Sequence, residues 1–239
     1  MDNHDLYKLT LTILRKEGSG NIIKPDRFTE LLKQCHHEYY TQEYDKWDVT
    51  QKIHDSLRPF LVVDDTATFT TGVEDLDDLT YSYRHISSAR VVADDTPIDI
   101  VTPLEWNYRM DDELTQPTLE DPVMIVDTDA LRIRPSSITE AYVTYLKEAD
   151  NEPFYDYYID ANRNVQWMGV NGEEYTLGAS EVYRDGTTGT TVTSINRELE
   201  WADKDKINIL SFIIEKLGVS LQGGITQYAL QKESQQNIA

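Results

Sequence analysis

An α+β fold is predicted, with a helical body made from both chain ends and a central, mostly antiparallel β region projecting from it. Three observations predict it. Apolar residues recur at helical spacing in residues 1–58 and again in 200–236. Residues 60–195 instead hold short runs rich in Val, Ile, Thr and Tyr, separated by polar turns. The chain has 239 residues, 39% of them hydrophobic, enough for one large domain or two intimate ones. The expected division is N-terminal helices at 1–60, a central β region at 61–198 and C-terminal helices at 199–239. The two helical ends should pack together, because each apolar stripe needs a covering surface and the other can supply it.

In order, Leu6, Leu9, Ile13 and Leu14 mark a first helix, stopped by Gly18-Ser19-Gly20. Pro25 suits the first position of a second, whose stripe is Phe28, Leu31, Leu32, Cys35 and Tyr39. The helical pattern resumes at Trp47, runs through Gln51 and His54, and ends before Pro59, since the residue before proline avoids the α region. Strands are expected at 61–63, 66–70, 89–93, 98–101, 123–126, 131–134, 141–146, 155–160 and 165–168. Turns fall at Asp64-Asp65, 94–97, 127–129, 160–164 and Asn171-Gly172. Residues 185–190 read as an exposed, mobile loop. Ile207, Leu210, Ile213, Ile214 and Leu217 give a helix closed by Gly218, and a last helix follows Gly223-Gly224.

Composition narrows the function classes. With 43 acidic against 22 basic residues the formal charge is −21. Such a chain repels nucleic acid and anionic membranes, which argues against a phosphate-gripping role. The charge is compatible with solubility alone, or with a surface that nucleic acid slides past. Tyr outnumbers Phe, 15 to 5. Tyr is favoured in strands, and it also suits surfaces buried only on assembly. Cys35 is the one cysteine, so no intramolecular disulfide forms. No apolar run reaches roughly 18 residues, and the acidic N-terminus lacks the features of a signal peptide. Production in a reducing cytoplasm, or in a particle assembled there, is expected.

Chemistry is hard to find. Cys35-His36-His37 cannot converge on one metal, because adjacent helical side chains diverge by about 100°. Asp160-x-Asn162-x-Asn164 opens like a calcium loop, yet Val165 stands where Gly is needed and Asn171 where Glu is needed, so a hairpin turn is expected. Asp127-x-Asp129 reads as a turn. Phosphate-binding glycine loops, nucleophile elbows and zinc-binding His pairs are missing from the sequence. No catalytic, metal or cofactor-binding residue is assigned, no cofactor is expected, and the chain is read as a non-enzyme.

Residues Trp47 to Phe60 read W-D-V-T-Q-K-I-H-D-S-L-R-P-F. This resembles the W/Y-E-x-T-Q-x-I-x-D-x-L-R-P-F stretch of neck proteins in crAss-like and other Bacteroidetes phages. Further segments are similar in the same order: Tyr83 to Arg90, Leu114 to Val123, Leu131 to Lys147, Pro153 to Tyr157, Leu199 to Trp201, Lys216 to Leu221 and Gln227 to Ala229. Tyr155 stands where the family often has Trp, Lys147 where it often has Arg, and the insert 149–152 is longer than usual. The resemblance spans residues 5–235.

The resemblance implies a virion structural protein, one subunit of a head–tail connector ring around the DNA channel below the portal. It implies a homo-oligomeric ring, a dodecamer, in contact with the portal protein and other neck or tail ring proteins. Genomic DNA would pass through without sequence-specific binding, no membrane would be involved, and assembly would occur in the host cytoplasm. Trp47, Gln51, Arg58, Pro59 and Phe60 form the expected structural corner and possible interface. Arg58 should pair with a carboxylate or cap carbonyls there, while Trp47 and Phe60 anchor helix to sheet. The alternatives are another ring or tail-attachment component of the same phages and, from a different class, a carbohydrate-binding or carbohydrate-active module using exposed Tyr and Trp.

Overall fold

Helical spacing at both ends and alternating runs between them produce four helices and twelve strands among the described residues, which are 1–16, 23–46, 56–149 and 152–218 of a computed structural model. In chain order these are α1 (Asn3–Lys16), α2 (Pro25–Tyr44), β1 (Leu61–Thr68), β2 (Val73–Asp75), β3 (Tyr83–Val91), β4 (Pro97–Ile100) and α3 (Pro103–Asp111). Then come β5 (Val123–Val126), β6 (Ala130–Arg134), β7 (Glu140–Lys147), β8 (Tyr157–Ile159), β9 (Val165–Trp167), β10 (Glu174–Thr176), β11 (Val182–Tyr183), β12 (Thr191–Thr193) and α4 (Asp203–Lys216). The fold is α+β with a central β region, as predicted. It divides into two units, Met1–Pro59 with Asn151–Ala239, and Phe60–Asp150. The β segment expected as one region over 61–198 is therefore shared between them: β8 to β12 fall in the unit that contains α1, α2 and α4.

In the first unit α2 starts at Pro25, whose missing N–H costs nothing in a first turn, and buries Phe28, Leu31, Leu32, Cys35 and Tyr39 on one stripe. Helix α4 buries Ile209, Leu210, Ile213 and Ile214. The two helices meet through Tyr39, which donates to Asp205 Oδ1 at 3.0 Å and accepts from Asn208 at 3.1 Å. The Trp201 ring packs edge-on against Tyr39 with centroids 4.8 Å apart. Gly218, at φ 78°, closes α4 as expected, its N–H reaching the carbonyl of Glu215. Tyr155 gathers α1 and α2, with ring centroids 5.0 Å from Tyr7 and 5.8 Å from Phe28. Nearby, β11, β8 and β9 form a three-stranded sheet and β10 pairs with β12. Asp156, fully buried, ties this part together by accepting from Arg184, Tyr183 and the Ile195 N–H.

The second unit is a seven-stranded sheet in the order β1-β7-β3-β4-β5-β6-β2. Its pairings among described residues are antiparallel except β4 with β5. The outer strands β1 and β2 are consecutive in sequence, joined by a turn in which Thr70 and Val73 exchange N–H···O bonds of 2.9 and 3.2 Å. The sheet therefore curls, and one apolar cluster fills its concave side. Ala67 of β1, Ile86 of β3, Ile98 of β4, Met124 of β5, Ile133 of β6 and Val143 of β7 all contribute. Each large aliphatic side chain buried this way stabilises the unit by roughly 1.5–3 kcal/mol.

Two sequence expectations change here. The strands expected at 61–63 and 66–70 are a single strand with a register shift between Val62 and Asp65, where Asp64 adopts φ 58°. Residues 103–111, read as part of the β region, form α3. A parallel pair demands a long crossover, and Thr102 with Pro103 supplies the helix start: the Thr102 hydroxyl accepts the Glu105 N–H at 3.3 Å.

Candidate functional site

The expected corner is described only in part. Trp47 and Gln51 lie outside the described residues, as does the helix expected around them. Arg58–Phe60 form a single 3-10 turn. Phe60 is buried, with Lys147 Nζ 5.9 Å from its ring centroid. Leu57 is also buried. Arg58 is exposed and makes no ion pair or hydrogen bond among the described residues. The expected carboxylate or carbonyl partner for Arg58 is therefore not found there.

The metal-like motifs resolve into ordinary structure. Cys35 is buried, and burial pushes its thiol up to about 12. His36 Nδ1 accepts from Trp201 Nε1 at 2.8 Å, so this nitrogen carries no proton. His37 faces outward on a different side of α2, 3.8 Å from Glu152. Asp160 forms a hairpin turn between β8 and β9, accepting from the N–H groups of Asn162 and Asn164 and from both side-chain amides of Asn164 and Gln166. Those bonds hold its carboxyl below the ordinary range. Asp127 turns β5 into β6 and pairs with Arg132 at 2.9 Å. Among the described residues no three His, Cys, Asp or Glu side chains gather as a metal requires.

What the second unit does present is charge and exposed apolar surface. Residues 60–150 carry twenty acidic and six basic residues, net −14. A cleft of about 710 Å³ opens beside β2 and β3, lined by Asp75, Asp77, Asp129 and Glu148 with Tyr81 and Tyr83. On the crossover between β4 and β5, α3 buries none of its side chains. Leu104 and Tyr108, one turn apart on the same face, are 66% and 68% exposed, and Leu114 beyond the helix is 94% exposed.

No protein-family model matches the chain, and no curated protein matches it. No helix among the described residues is long and apolar enough to cross a membrane. The site therefore rests on its own geometry. Sequence reading gave the Arg58 corner a structural role, with an interface as the other possibility, and did not single out α3. The missed signal was Thr102-Pro103 followed by Leu104 and Tyr108 at helical spacing, within a stretch otherwise read for strands.

Proposed function

We propose that the chain is a virion structural protein, one subunit of a head–tail connector ring around the DNA channel below the portal of a tailed phage. The ordered series of motifs between Trp47 and Ala229 carries this reading. Two physical features support it. The exposed apolar groups on α3 suit contact with a different protein, as a ring stacked between other rings requires. The strongly acidic surface repels DNA, which suits a conduit through which DNA moves without sticking.

The test is the mass of the purified chain by light scattering across concentrations, with negative-stain imaging, alone and with the portal protein. Closed rings of about twelve subunits are expected. A chain that remains monomeric both alone and on the portal overturns the proposal.

A further inference from the structure

A crossover helix between parallel strands ordinarily lays its apolar stripe against the sheet. Helix α3 half-buries Trp106, Arg109 and Met110, the Trp106 ring lying 6.0 Å from the Arg134 guanidinium, and leaves its other side chains exposed, with none fully buried. Its arm is nonetheless ordered. Thr102 caps it, Arg109 bonds to Asp99 and Glu105 at 3.1 and 3.0 Å, and Asp112 accepts from the Leu114 N–H and the Thr115 hydroxyl. This framework holds Leu104, Tyr108, Leu114 and Leu119 out in water, the last 59% exposed.

Charge decides what can cover them. Residues 103–121 hold six acidic residues and one basic, Arg109, which is already engaged by carboxylates. The unit around them is net −14, and its six basic side chains all have partners in carboxylates, rings or carbonyls. The rest of the chain is also acidic, net −7. A second copy would bring like charge to like charge, which is destabilising at close range. We propose that the arm, residues 103–119, docks into an apolar groove rimmed by lysine and arginine on a different protein. This deepens the reading of the chain as an assembly subunit, and rests on it, by naming the chemistry of one neighbour.

The probe is an amphipathic helical peptide of leucine and lysine, compared with one of leucine and glutamine, with binding read by fluorescence anisotropy. The leucine–lysine peptide is expected to bind wild type more tightly than the leucine–glutamine peptide. It is expected to bind a Leu104→Ser, Tyr108→Ser, Leu114→Ser variant roughly tenfold more weakly than wild type, because apolar burial is lost while every charge remains. Val63→Ser, which removes an exposed apolar group elsewhere in the same unit, should bind like wild type. Should the triple variant fail to fold, Leu114→Ser alone gives the same direction of change. Equal binding by wild type and arm variants overturns the inference, since the attraction would then be charge alone. Self-association of wild type at about 1 M salt that the arm variants lose also overturns it, because the occupant is then a second copy. Peptide binding is read on the single chain, so its failure is distinct from a failure to form rings.

Discussion

Asp205 is a buried carboxyl, 2% exposed, with Oδ1 accepting from Tyr39 and from Ser56 at 3.3 Å while Oδ2 has no hydrogen-bond partner among the described residues. Burial raises its pKa above the ordinary 3.8, and Glu43 adds to this, against the hydrogen bonds and Lys204. The folded state thus holds this proton more tightly than the unfolded one. That contribution is fully present below the ordinary value and is lost as pH rises through the folded value. The Asp205→Asn variant should show a thermal midpoint that falls less than wild type between about pH 4 and pH 7; parallel curves would show that Asp205 carries no such coupling. Tyr145 offers the opposite case. Its hydroxyl donates to Asp65 at 2.7 Å and accepts the Tyr81 N–H at 3.1 Å. Burial works to raise Asp65, but the bonds from Thr80 and Tyr145 together outweigh it and hold the carboxyl low. Tyr145→Phe leaves a carboxylate and an N–H without this partner and should cost about 1–3 kcal/mol by urea unfolding. Because Asp65 stabilises the fold above its ordinary range and loses that contribution as pH falls through the folded value, the variant should also narrow the gap to wild type in acid.

At the scale of elements, the turn from β1 to β2 shows how one residue permits a topology. Gly72 adopts φ 79°, its carbonyl accepts the Ile133 N–H at 2.9 Å, and a Cβ there would lie 2.7 Å from the Ile133 carbonyl oxygen. Only glycine combines that φ with that approach. Gly72→Ala should destabilise the chain by about 1–3 kcal/mol in the same unfolding experiment; an unchanged midpoint would mean that the curl does not depend on this contact. Helix α3 makes a complementary point. Its cap and its Pro103 were readable in the sequence, but its exposure was not. A helical stripe predicts burial in general, and nothing local told Leu104 and Tyr108 apart from the stripes of α2 and α4 that do pack.

At the scale of the whole molecule, the proposed ring would have to form against an uneven charge. Two thirds of the net charge sits in residues 60–150. Copies brought side by side must overcome that repulsion, which salt screens over about 10 Å at 0.1 M. Assembly should therefore begin at lower protein concentration in about 0.5 M salt than in about 0.05 M salt, measured by light scattering. A midpoint independent of salt would show that the acidic faces point away from the subunit contacts.

The sequence by itself determined the fold class, the helices α1, α2 and α4, the strands β4 to β9 to within two or three residues, and the reading of Asp160 and Asp127 as turns, while the helices expected around Trp47 and after Gly224 lie outside the described residues. Periodicity, proline and glycine positions, and short-range side-chain chemistry are local, and they act within a few residues. Only the tertiary structure decided which strands share a sheet, since pairing β1 with β7 joins residues some eighty positions apart. It alone divided residues 61–198 between two units, left Arg58 exposed and left one face of α3 in water. Those outcomes depend on which distant surfaces meet, and an apolar side chain carries no record of its partner.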